Sequence, residues 1–272
     1  MYPEIIPRLP RRRCGQRGHG PIIRIAAGCR RFFFGCHALR ILPLVLACLS
    51  FMACSTGSDR PDIPVFDVHF AVLTGKPHIN EAVDTQTAIN EVDILNRYFV
   101  TEDRQPLVRF RFKALHTYDE IQDTPCEFIR IGDFTGEYNS GYWRDLFNAC
   151  PDPRVVDPSA INFYIVDRYS AGKGFAEKDS HGVNNANRPY ILLDWERLNH
   201  TIQSPEEHEM GHAFGLGHEC APGAGIETST NIMASRECGK GSGGQRDIGF
   251  NRKQVRIIKQ NAAIMRKKLN RE

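Results

Sequence analysis

The sequence lacks several patterns that would fix its class at once. No two of its nine cysteines stand in CxxC spacing, which removes the usual pattern of a cysteine zinc site. There is no internal repeat and no low-complexity block, so a repeat array is excluded. The longest apolar run, "ILPLVLACLSFMAC" (41–54), has signal-peptide length and is too short for a membrane span. Positive charge is scarce in the middle of the chain. Residues 1–53 hold nine Arg, no Lys and one acid, a net +8, and residues 250–272 hold eight Lys/Arg and one acid, a net +7. With +3 for the whole chain, the 196 residues between carry −12. An acidic body argues against nucleic acid as the partner.

What is present has the composition of a globular protein, with 41% hydrophobic and 25% charged residues in 272. That length is enough for one large domain. The division predicted is an export leader over 1–53, a polar tether over 54–63 and one domain over 64–272. The leader runs from "CRRFFFGCHALR" into the apolar run, which ends at Ala53-Cys54 before "STGSDRPD". This resembles a bacterial lipoprotein signal, with Cys54 as the lipidation candidate and Cys48, after "VLA", as a second. "RRFFF" (30–34) is similar to a twin-arginine export signal. A plainly cleaved signal peptide or a short anchor is the competing reading. Forty residues ahead of the apolar run is long for a leader and points to a start codon further along.

Five cysteines belong to the leader or its end, leaving Cys126, Cys150, Cys220 and Cys238. An even remainder in an exported domain predicts two disulfides with three possible pairings. Neighbour pairing, Cys126–Cys150 and Cys220–Cys238, is the simplest. Each loop of about 20 residues would contribute about 3 kcal/mol on the chain-entropy account.

Alternation and β-branched content predict strands at Val65–Leu73, Pro106–Leu115, Ser159–Asp167 and Tyr190–Trp195. A Gly- and Asn-rich stretch before the last of these is read as a loop with a short edge strand near Gly174–Ala176. Ile89, Val92, Leu95 and Phe99 at helical spacing predict a helix over Thr85–Phe99. A second helix opens at Ser204, with Pro205 in its first position and Glu207 completing a capping box. A last amphipathic helix runs from Asn251, marked by Val255, Ile258, Ala262, Met265 and Leu269. Its basic outer face reads as solvated, or as a contact with anionic membrane. The order of elements implies an α+β, α/β-like sheet domain.

The chemistry sits in "HEMGHAFGLGHEC" (208–220). His208 and His212 are four apart and share a helix face, where two imidazoles can bind one metal. Glu209 lies beside them, offset so as to reach a water and not the metal. Gly215 lets the chain leave the helix, and His218 follows three residues later. Three neutral nitrogens leave one coordination position open, which is what a catalytic zinc requires.

The string H-E-x-x-H-x-x-G-x-x-H resembles the metzincin zinc peptidases, most closely the matrixins, and Glu219 directly after the third His is similar to the astacins. The resemblance implies a methionine beneath the metal, supplied by Met233 in "TNIMAS". It implies a twisted, mostly parallel sheet with an antiparallel edge strand, an active-site helix and a C-terminal helix. It further implies a zinc endopeptidase whose base is Glu209 and whose substrate binds extended along the edge strand. No tyrosine follows Met233 and no cysteine switch precedes the domain, so neither an astacin-type extra ligand nor a propeptide of that kind is expected. Asp179 and His181 lie where some matrixins hold a structural metal such as Ca2+; the competing reading is a solvated loop. The alternatives to a general peptidase are a zinc-stabilised binding or adhesion module without catalysis and an enzyme dedicated to one envelope protein. Glu209 discriminates, since a binding module has no need of it.

Overall fold

A computed structural model describes residues 63–126, 144, 147–167, 180–200 and 205–269. The expectations for the leader and tether, for Cys48 and Cys54, for a strand at Gly174–Ala176, for Asp179 and for a cap at Ser204 lie outside these residues. Contacts divide the chain into Met1–Gly57 and Ser58–Glu272, and every described residue belongs to the second unit.

Five strands form one sheet: β1 (Val65–Val72), β2 (Arg109–His116), β3 (Ile161–Val166), β4 (Ser180–Val183) and β5 (Tyr190–Asp194). Their order is β2-β1-β3-β5-β4. The first four in that order run parallel, and β4 lies antiparallel on the edge of β5. β3 and β5 are buried at every position, as central parallel strands covered on both faces must be. The structure is therefore mixed α and β, with a mostly parallel sheet and an antiparallel edge strand.

Five helices are named here: α1 (Pro77–Ala82), α2 (Thr85–Tyr98), α3 (Tyr118–Ile121), α4 (Pro205–Ala213) and α5 (Arg252–Leu269). α2 begins where Asp84 accepts a hydrogen bond from the Thr87 N–H at 2.7 Å, a side-chain cap on the first turn. One face of the sheet (Phe66, Val68, Phe70, Phe163, Ile191) is buried against Leu95 of α2, Met210 of α4 and Ile258 and Met265 of α5. Phe214, just past α4, packs edge-on to Phe66 with ring centroids 5.5 Å apart. The opposite face (Ala71, Tyr164, Tyr190, Leu192) packs on Ile121, Phe147 and Val155. Disulfides join Cys126 to Cys150 and Cys220 to Cys238. No helix among the described residues is long and apolar enough to cross a membrane.

Two corrections to the sequence reading concern elements. The run Ser180–Val183, read as loop, is the edge strand β4. Pro106, Leu107 and Val108 stand before β2, because a proline has no N–H to give the ladder. The short helices α1 and α3 were not expected at all; six and four residues carry too little periodicity to register.

Buried acids lie between α2 and the first turn of α4. Glu91, Glu206 and Glu207 are all at most 1% exposed. Burial pushes the Glu91 carboxyl up to about 7 and lifts Glu206 well above the usual range, the latter helped by its neighbours Glu91 and Glu207. A raised carboxyl pKa means the folded state holds protons that the unfolded chain gives up. Stability from this source is thus complete below the unfolded value and is lost as pH rises through about 7. The variant Glu91→Gln should melt about 3 °C or more above the parent at pH 8 and close to it at pH 5. Thermal melts at the two pH values check this, and an equal shift at both would refute it.

Candidate metal centre

Helix α4 is short and is held from outside. Phe214 O, past its last turn, accepts from Asn261 Nδ2 of α5 at 2.7 Å. Gly215 then takes φ +84°, a conformation that favours glycine, and a Cβ there would sit 2.5 Å from the same Asn261 amide. The chain turns off the helix at this point and delivers His218.

His208, His212 and His218 each offer a ring nitrogen within 4.8 Å of the others. His208 is buried, His212 half-buried and His218 exposed, so the group grades from the interior to the cleft. The ring nitrogens are assigned by their partners. His208 Nδ1 faces Ile232 O at 2.8 Å, and His212 Nδ1 faces Leu216 O at 2.8 Å. A carbonyl only accepts, so both protons sit on Nδ1 and both Nε2 atoms present lone pairs. Those two Nε2 atoms are 3.1 Å apart. Lone pairs that close repel unless a cation lies between them. Two nitrogens at about 2.0–2.1 Å from one tetrahedral zinc would themselves be about 3.3 Å apart. The donor set therefore fits zinc, with the carbonyls of Ile232 and Leu216 orienting the rings. Burial, and next the Arg246 charge, holds His208 well below its ordinary value, which keeps it in the neutral form a metal needs.

Glu209 lies on the same helix, 7% exposed, with its carboxylate turned to the edge strand. Oε2 accepts from the Gly182 N–H at 2.7 Å and Oε1 from Ser180 Oγ at 3.1 Å. β4 can come that close because residue 182 is glycine: a Cβ there would overlap the Glu209 carbonyl oxygen. A carboxylate has about four lone-pair sites, so two donors fix its plane and leave it able to accept another proton.

The floor is Met233, fully buried. Its Sδ occupies the space that a Cβ of Gly211 would need, in the turn of α4 between the two histidines. Met233 O accepts from the Glu219 N–H at 2.6 Å, and Asn231 Oδ1 accepts from the Met233 N–H at 2.9 Å. This pairing belongs to a two-stranded ribbon of β6 (Glu219–Cys220) with β7 (Ala234–Ser235), closed by the Cys220–Cys238 bond. The Glu219 carboxylate lies 3.5 Å from Gln254 Nε2 of α5, so this side chain engages the helix behind the site.

The three histidines and Glu209 line a cleft of about 640 Å3, walled by Ser180–Asn184 on one side and Ser235, Arg236 and Arg246 on the other. Sequence reasoning missed Ser180, Gly182 and Arg246. It set His181 apart with Asp179 as a structural-metal pair, whereas His181 lines the cleft. Burial and the nearby His212 and His218 hold His181 down to about 4. A signal existed: Ser180 and Gly182 are two apart, hence on one side of a strand, but the surrounding polar residues concealed it.

No protein-family model matches the chain, and no curated protein matches it. Among solved structures, mirolysin in complex with compound 9 is similar over 76% of this chain and 97% of that one, at 10% identity and a TM-score of 0.43.

The close approach at Gly182 gives a direct test. Gly182→Ala should push β4 away from α4, break the 2.7 Å bond to Glu209 and still leave the three histidines in place. Titration with zinc should give a stoichiometry of about one for both proteins. The amide of residue 182 should exchange with solvent at least tenfold faster in the variant; unchanged exchange would contradict the packing.

Proposed function

We propose that the chain is a zinc-dependent endopeptidase of metzincin type, carried out of the cytoplasm and tethered through lipid at Cys54. The observation that carries this reading is the convergence of His208, His212 and His218 ring nitrogens within 4.8 Å of one another, beside a carboxylate clamped to an edge strand. His218 is the third ligand. When bound, zinc supplies Lewis-acid chemistry, polarising a carbonyl and acidifying water.

The remaining work belongs to the protein. Glu209, fixed by Ser180 and Gly182, accepts the proton of the attacking water and returns it to the departing amine nitrogen. β4 is an edge strand, and a substrate lying extended along it adds one more strand to the sheet. The His208 and His212 N–H groups stay committed to Ile232 O and Leu216 O, so the rings do not turn during the cycle. Two disulfides agree with an oxidising compartment.

Substituting Glu209→Gln removes the base while keeping a hydrogen-bonding side chain of the same length. Casein hydrolysis should fall by at least a thousandfold, with zinc bound at one per chain in both proteins. A chelator should abolish the parent activity and added zinc should restore it. Retained activity in the variant would sink the assignment of the base. Zinc binding without any hydrolysis by the parent would leave a zinc-stabilised binding module in its place.

A further inference from the structure

Helix α5 carries seven Lys or Arg between Arg252 and Lys268, and no acid anywhere along its length. Its inner face is settled: Gln254, Ile258, Ala262, Met265 and Leu269 are buried in the domain. Its outer face is exposed at Arg252, Lys253, Arg256, Lys259, Arg266 and Lys267. At 100° per residue these six cations fall within an arc of about 140°, along about 22 Å of helix. Arg252, Lys253, Arg256, Lys259 and Lys267 make no ion pair among the described residues. Ile264, 45% exposed, borders the stripe. Six like charges held on one line repel one another, a cost that a domain with a −12 body does not need for solubility.

A second observation concerns where the tether joins. Ile63, the first described residue, and Val65, the start of β1, line one small cavity with Arg266 and Leu269 at the end of α5. The chain from Cys54 therefore reaches the domain beside the basic helix. Eight residues lie between Cys54 and Ile63, and the nine steps span at most about 32 Å. An anchor at Cys54 would tether the Arg266 end of α5 by no more than that length of chain.

We propose that the outer face of α5 docks on an anionic phospholipid surface, with the cations at the headgroups and Ile264 at their edge. The acidic remainder of the domain is repelled by the same surface, so the docking has one orientation. The contact adds to the leader's anchor as a second, charge-dependent signal, of the kind that turns marginal attachment into stable attachment. It does not depend on the peptidase reading.

The test uses the full chain, which carries the same basic leader in every variant, so the difference between variants reads α5 alone. Vesicles of phosphatidylcholine, with and without 30% phosphatidylglycerol, are sedimented with the parent and with Arg256→Gln/Lys259→Gln/Lys267→Gln. At the contribution expected of each cation near a charged surface, the variant should bind anionic vesicles about a hundredfold more weakly, and equally on neutral ones. At 0.5 M salt the two proteins should converge. Melting temperature and casein hydrolysis in solution should be unchanged, as none of the three residues touches the cleft. Should the triple variant fold poorly, Lys259→Gln/Lys267→Gln should still bind about twentyfold more weakly. Equal binding of parent and variant to anionic vesicles overturns the proposal. So does a variant that loses only self-association, since the stripe would then face the acidic body of a second copy.

Discussion

Everything at the candidate site depends on how closely the backbone of β4 and the side chain of Met233 approach helix α4. On one side Gly182 of β4 lies against the Glu209 carbonyl, and on the other Met233 fills the space over Gly211. A β-carbon at residue 182 would overlap backbone, and one at residue 211 would displace the Met233 sulfur. Between them, nine residues of helix that could not hold their shape alone are fixed to within the tolerance that metal ligation demands. The sheet face, the methionine turn and the helix behind them are arranged around that clamp.

The clamp also decides the electrostatics. A helix pressed from both sides excludes water from its flanks, and burial there favours the uncharged form of a titratable group. His208 is held neutral by burial, which suits a ligand, and Glu206 and Glu91 are driven toward the protonated form by the same desolvation. Glu209 differs from those buried acids in having two donors, from Ser180 and Gly182, aimed at its oxygens. Three acids lie within four residues on one helix, all buried, and Glu209 is the one that Ser180 and Gly182 hold.

Much of this was readable from the letters. Three histidines and a glutamate on a helix-then-turn spacing bring their own geometry, because 3.6 residues per turn and a glycine leave few alternatives. The long strands β1, β3 and β5 were legible for a similar reason: short runs rich in β-branched and aromatic residues have few other uses in a chain of this composition. What the letters withheld was contact between distant elements. Ser180 and Gly182 matter because of what α4 places beneath them, 27 residues on from Gly182, and nothing local marks them. Arg246 reaches the site from a loop whose residues are mostly small and polar. Asn261 and Gln254 carry no mark in the pattern of an amphipathic helix, yet they join Phe214 O and Asn231. Polar side chains that bond to backbone across the fold have no periodicity to betray them.

Those last two bonds have a mechanical consequence. Asn261 and Gln254 project from α5 toward the site while the cations of the same helix project away from it. A rigid rod of about 27 Å thus joins the outside of the molecule to the underside of the cleft. With that rod laid on a plane, the cleft mouth stands at a set height and tilt above it. On the proposed reading, what reaches the cleft would be selected first by which chains extend to that height, before any side-chain pocket is consulted.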